Sequence, residues 1–110
     1  LTRLGHALGA RTETLMGLSG LGDLVLTATS GQSRNYRFGC AVGAGRPPAE
    51  LSGPGAPLAE GVATAPALTL RAEAEGIELP VAETVSRVVS GALSLDEAVD
   101  RLMSRPLKPE

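Results

Sequence analysis

Apolar residues along this chain recur mainly at intervals of three and four, the spacing that places them on one face of an α-helix. Leu1, Leu4 and Leu8 already share a helical face at the start. Thr12 to Met16 reads as a short helical turn with Thr12 as its cap. Leu18, Leu21, Leu24 and Val25 then repeat at helical spacing and predict a helix that ends near Ser30-Gly31. Ser33 is a natural N-cap for the next helix, in which Phe38, Ala41 and Val42 form the buried stripe and Gly43–Gly45 the end. Residues 46–59, with Pro47-Pro48 and Gly53-Pro54-Gly55, predict a loop with room for one turn at Pro48–Leu51. A further helix is expected from about Thr64 to Glu75, with Pro66 placed in its first turn and Gly76 as its stop. Pro80 opens another, with Val81, Val85, Val88 and Val89 inward and Gly91 at its end. Ser94-Leu95-Asp96-Glu97 matches a capping box and opens a last helix, which Pro106 closes before a frayed tail. Leu24-Val25-Leu26-Thr27 has strand character but no partner run, so the expected fold is all-α, a bundle of about five or six helices.

Composition narrows what such a bundle does. In 110 residues, 43% are hydrophobic and 20% charged, which is ordinary globular usage and enough for one core. The net charge of -2 and pI near 5.4 argue against phosphate neutralisation on nucleic acid. Tyr36 and Phe38 are the aromatic residues, too few for a base-stacking platform. No apolar run is long enough for a membrane span. The single cysteine, Cys40, fits a reducing compartment, hence a cytoplasmic setting, and core packing is the expectation for it. No Cys or His cluster suggests a metal, and His6 has no second ligand nearby. The opening in the middle of an amphipathic turn, without Met or signal sequence, reads as a piece of something longer.

Residues 17–39 hold the densest chemistry. Gly17, Gly20 and Gly22 precede a lone acid, Asp23, in an apolar run, and Ser33-Arg34-Asn35 follows ten residues later. Arginine offers a planar fork for phosphate or carboxylate, asparagine both a donor and an acceptor, and a serine at a helix start a hydroxyl beside free N–H groups. Recognition of a small phosphorylated polyol needs that combination. The competing reading pairs Asp23 with Arg34 or Arg37 as a structural link and leaves the glycines to close packing. The glycine spacing, GxxGxG with no strand before it, is not a dinucleotide fingerprint. Glu60-Gly61 reads as a helix opening, with the carboxylate at the positive end of the dipole.

Taken together, Gly17-Leu-Ser-Gly-Leu-Gly-Asp-Leu-Val-Leu-Thr27, Ser33-Arg34-Asn35, Phe38-Gly39, Glu60-Gly61 with Thr64-Ala65, Gly76 to Leu79-Pro80, and Met103-Ser104-Arg105-Pro106-Leu107-Lys108 resemble the C-terminal, substrate domain of bacterial-type NAD(P)-dependent glycerol-3-phosphate dehydrogenases. The resemblance covers essentially the whole chain. Departures are small: Ala28 stands where a Cys is common, Pro66 is unusual, and residues 46–57 are richer in Pro and Gly.

The resemblance implies an oxidoreductase that interconverts sn-glycerol 3-phosphate and dihydroxyacetone phosphate for glycerophospholipid synthesis. It also implies an all-α domain, like the C-terminal domain of the 6-phosphogluconate dehydrogenases, covering substrate held against a separate N-terminal Rossmann domain that binds NAD or NADP. Carried over by position, Asp23 and Thr27 belong to the catalytic polar network. Asp23, Ser33, Arg34 and Asn35 contact substrate, and Arg34, Leu58 and Glu60 lie at the cofactor. The general acid/base of the family is a lysine, and the one lysine here, Lys108, does not match its position. The chain alone is therefore expected to be inactive. Its implied partners are the phosphorylated substrate, the Rossmann domain and, as a further option, a second copy in a homodimer. Two alternatives stand beside this: a free-standing, non-catalytic helical interaction module, and a related dehydrogenase for another hydroxy acid.

Overall fold

A computed structural model describes residues 1–106; the expected frayed tail, with Leu107 and Lys108, lies outside the described residues. The helices are α1 (Thr2–Ala7), α2 (Thr12–Met16), α3 (Asp23–Thr29), α4 (Arg34–Gly43), α5 (Pro48–Leu51), α6 (Glu60–Ala74), α7 (Pro80–Val89) and α8 (Leu95–Met103). No strand occurs among the described residues, so the all-α expectation holds. Five of the eight helices have seven residues or more.

Local signals explain most boundaries. Ser33 Oγ accepts the Tyr36 N–H at 3.3 Å and starts α4. Pro80 occupies the first turn of α7, where a missing N–H costs nothing. Gly76, at φ 67°, takes the left-handed conformation that lets the Ile77 N–H reach back to the Ala72 carbonyl and end α6. The capping box of α8 is complete: Ser94 Oγ accepts the Glu97 N–H at 3.2 Å, and the Glu97 carboxylate accepts the Ser94 N–H at 3.0 Å.

The Ser94 backbone N–H, and after it the Ser94 hydroxyl, hold the exposed Glu97 carboxyl below its ordinary range. A depressed folded-state pKa stabilises fully above the ordinary glutamate value and is lost as pH falls through the lowered one. Ser94→Ala is expected to lower stability by about 1 kcal/mol at neutral pH. Because the hydroxyl donor goes with it, the variant's melting temperature should fall less steeply in acid than the parent's, as circular dichroism at two pH values would read.

Several expectations are corrected. Arg11, not Thr12, occupies the N-cap of α2; the Thr12 hydroxyl is hydrogen-bonded to His6 Nε2 at 2.9 Å. The helix expected across 18–30 is instead a π-helical turn (Leu18–Gly22) followed by α3. Glycine is needed there sterically: a Cβ on Gly20 would overlap the Leu15 carbonyl oxygen. Helix α6 begins at Glu60, where Glu60-Gly61 reads as a helix opening, and not at Thr64, so Pro66 lies in its interior and leaves the Val62 carbonyl without its helical donor. Cys40 is exposed, not core, because it lies off the Phe38 and Val42 face of α4. The stripes of Leu18, Leu21, Leu24 and Val25, and of Val81 and Val85, also stay exposed.

The core is thin. Leu4, Ala72 and Leu79 form its centre, with Leu68, Ile77 and Ala82 half-buried around them. Helix α6 packs on α7 and α7 on α8, while α2, the π turn and α3 pack mainly on one another. The chain exposes 7638 Å², against about 5,700 Å² for a compact domain of its mass. Its apolar patterning therefore presents more faces than its own helices cover.

Candidate functional site

Arg34 is the first residue of α4 and exposed, and its guanidinium makes no hydrogen bond or ion pair to another described residue. The first turn of α4 contains no acid. A cation there opposes the positive end of the helix dipole, so neither a local ion pair nor the helix explains its placement. Beside it, the first-turn N–H groups of Arg34 and Asn35 precede the first intrahelical donor and are open to an acceptor.

Asn35 is tied down. Its Oδ1 accepts the Gly61 N–H at 2.9 Å, across 26 residues of sequence, and so joins the start of α4 to the start of α6. Ala59, the N-cap of α6, has no side chain to do this. The bond brings Ser33-Arg34-Asn35 to the end of α6 that carries Glu60, which is exposed in that first turn, and follows Leu58, 63% exposed. Asn35 and Gly61 also line an apolar groove of about 330 Å³, walled by Phe38, Val85, Val99 and Leu102.

Neither Asp23 nor Thr27 makes a side-chain bond to this junction. Asp23 is exposed at the start of α3, where its carboxylate suits the helix dipole and water satisfies it. The link to Arg34 or Arg37 of the competing reading is absent among the described residues: Asp23 pairs with neither. Arg37 instead donates from Nη1 to the Gly31 and Gln32 carbonyls at 2.9 and 3.0 Å, fastening the turn before α4. The Thr27 hydroxyl donates to the Asp23 carbonyl at 2.8 Å, so its proton is committed to the helix and only its lone pairs face outward. No group of three or more His, Cys, Asp or Glu suited to a metal ion occurs among the described residues. No described helix is long and apolar enough to cross a membrane.

Two residues were missed by sequence reasoning in their structural roles. Arg37 was weighed as a partner for Asp23, and Gly61 as part of a helix opening. The helical spacing of Asn35 gives no sign of a contact 26 residues away.

Residues 1–100 match the family model described as NAD-dependent glycerol-3-phosphate dehydrogenase C-terminus. Over all 110 residues the chain is 54% identical to a glycerol-3-phosphate dehydrogenase [NAD(P)+] of Parvibaculum lavamentivorans, of which it covers 33%. It is equally 54% identical to that of Methylobacterium radiotolerans, covering 32%. The crystal structure of glycerol-3-phosphate dehydrogenase from Coxiella burnetii superposes with a TM-score of 0.87 at 39% identity, over 94% of this chain and 32% of that one. The chain thus spans about a third of the length of the curated relatives it matches. By sequence over nearly its whole length and by fold, it belongs to the family of NAD-dependent glycerol-3-phosphate dehydrogenase C-terminal domains.

Proposed function

We propose that these residues form the substrate-binding part of an enzyme interconverting dihydroxyacetone phosphate and sn-glycerol 3-phosphate with NAD or NADP, supplying glycerophospholipid synthesis in the cytoplasm. The observation that carries the reading is Arg34: an unpaired guanidinium at a helix start, next to open N–H groups and a fixed Asn35. Such an arrangement suits a dianionic phosphate, which takes a bidentate contact from arginine and favours the positive end of a helix.

In this reading Ser33, Arg34 and Asn35 hold the substrate, and Asp23 lies in the polar network around the reacting carbon. Thr27 offers that network only acceptor oxygen. Arg34, Leu58 and Glu60 face the dinucleotide, whose nicotinamide supplies the hydride. Exposed Glu60 fits sugar hydroxyls as a hydrogen-bond acceptor, and exposed Leu58 an apolar ring face. The proton for the carbonyl oxygen comes from a lysine carried, like the Rossmann domain, by a longer chain. The excess of exposed surface and the apolar groove support docking against such a domain. They equally suit a helical interaction module, or a homodimer formed by the uncovered faces.

A chimera separates these readings. Replacing the matching third of the Parvibaculum lavamentivorans enzyme with these 110 residues should give turnover of dihydroxyacetone phosphate within about tenfold of that parent, a loss of no more than about 1.4 kcal/mol in transition-state binding. The 110 residues alone should give none. A folded chimera without turnover overturns the enzymatic reading. Turnover by the chain alone overturns the division of labour between domains.

A further inference from the structure

Gly61 is a glycine that its backbone does not require. It is absent from the glycines of positive φ, and it lies in the first turn of α6, where any residue adopts the helical conformation. What surrounds it is the Asn35 amide. A Cβ built on Gly61 would lie 3.0 Å from Asn35 Oδ1, 3.2 Å from Cγ and 3.5 Å from Nδ2. Its N–H donates to that same Oδ1 at 2.9 Å. An amide has one accepting and one donating end, and fixing the oxygen fixes where the nitrogen is left.

We propose that Gly61 is a positioning residue for substrate recognition, setting the Asn35 amide so that its oxygen is consumed by α6 and its N–H₂ is what remains for the ligand. The inference rests on the substrate reading given above. A dianionic phosphate has only acceptor oxygens, so a turned amide would offer it a repelling oxygen in place of a donor. Glycine at 61 permits the close approach that the hydrogen bond needs. Any side chain there pushes the amide away from its N–H partner.

The test uses the same chimera, with Gly61→Ala and Gly61→Val. The Michaelis constant for dihydroxyacetone phosphate should rise about tenfold for Ala and further for Val, with kcat reduced less than threefold. Affinity for the reduced cofactor, read by fluorescence titration, should change less than threefold. The melting temperature should stay nearly level for Ala, because the gain from replacing a helical glycine by alanine offsets the weakened bond to Asn35. A Michaelis constant within twofold of the unsubstituted chimera for both variants overturns the proposal. So does a joint fall of melting temperature, kcat and cofactor affinity, which marks a general structural role. Arg34→Ala serves as the reference. If it too leaves turnover intact, or if the unsubstituted chimera has none, the substrate reading falls and takes this inference with it. If Arg34→Ala abolishes turnover while the Gly61 variants do nothing, this inference alone falls.

Discussion

Arg34→Ala in the chimera is expected to lower kcat/KM for dihydroxyacetone phosphate by two orders of magnitude or more. A hydrogen-bonded charge pair removed from one side costs about 1.5–3 kcal/mol, and the bidentate geometry of arginine on phosphate places this site at the upper end. About 3 kcal/mol is a little over a hundredfold. Nothing in the fold offsets the loss: the Arg34 guanidinium is exposed and bonded to no described residue, so its truncation should leave the folding free energy within about 0.5 kcal/mol of the parent. Arg34→Lys should recover only part of the rate, since an ammonium is a point charge without the planar fork. The contrast with Arg37 is informative. Its guanidinium is already occupied by the Gly31 and Gln32 carbonyls, so Arg37→Ala should loosen the turn before α4 more than it changes the phosphate contact. Steady-state kinetics with a parallel thermal melt would decide the matter, and an unchanged kcat/KM for Arg34→Ala would make the cluster structural.

Leu79→Ala should be the most damaging change to the fold itself. Leu79 is 8% exposed and meets Leu4 and Ala72 where α1, α6 and the start of α7 converge. Truncating a buried leucine costs about 3 kcal/mol from lost burial and the cavity left behind. In a domain of this size that lowers the melting temperature by about 15 °C. The neighbourhood cannot refill the space, because its other fully covered members are one leucine and one alanine. Leu70→Ala, on the exposed side of α6 at 68% exposure, should change the melt little. Equal losses at both positions would show that the centre of the core lies elsewhere.

Much of the fold was legible in the chain. Ser33, Pro80 and the Ser94 to Glu97 box each carry their information within one turn, and each starts a helix where expected. The failures are those of period and of distance. The π turn at Leu18–Gly22 is set by the overlap any side chain on Gly20 would make with Leu15, which no hydrophobic period encodes. Pro66 favoured a late start for α6, but the bond from Asn35 to the Gly61 N–H caps the helix earlier, and the tertiary contact overrode the local rule. Periodicity places Cys40, Val81 and Val85 inward, yet all three are exposed, because periodicity says which residues share a face, not whether anything covers it. For the site, the chemistry of Ser33-Arg34-Asn35 was readable from residue types. The family resemblance added Leu58 and Glu60, and the structure added the junction of α4 with α6 that lies between them.

That junction also governs how the chain moves. Leu4 is held by Ala72 and Leu79 at one end of the first part of the molecule, and Asn35 is held by Gly61 at the other. Between these two feet, α2, the π turn and α3 form an arch that packs mainly on itself. A segment that packs mainly on itself opens at lower free energy than elements packed into the core. Amide hydrogen exchange should therefore be fast across α2 and α3 and slow around Ala72 and Thr84. The arch carries Asp23 and Thr27, so the positions of these two residues depend on whether both feet hold.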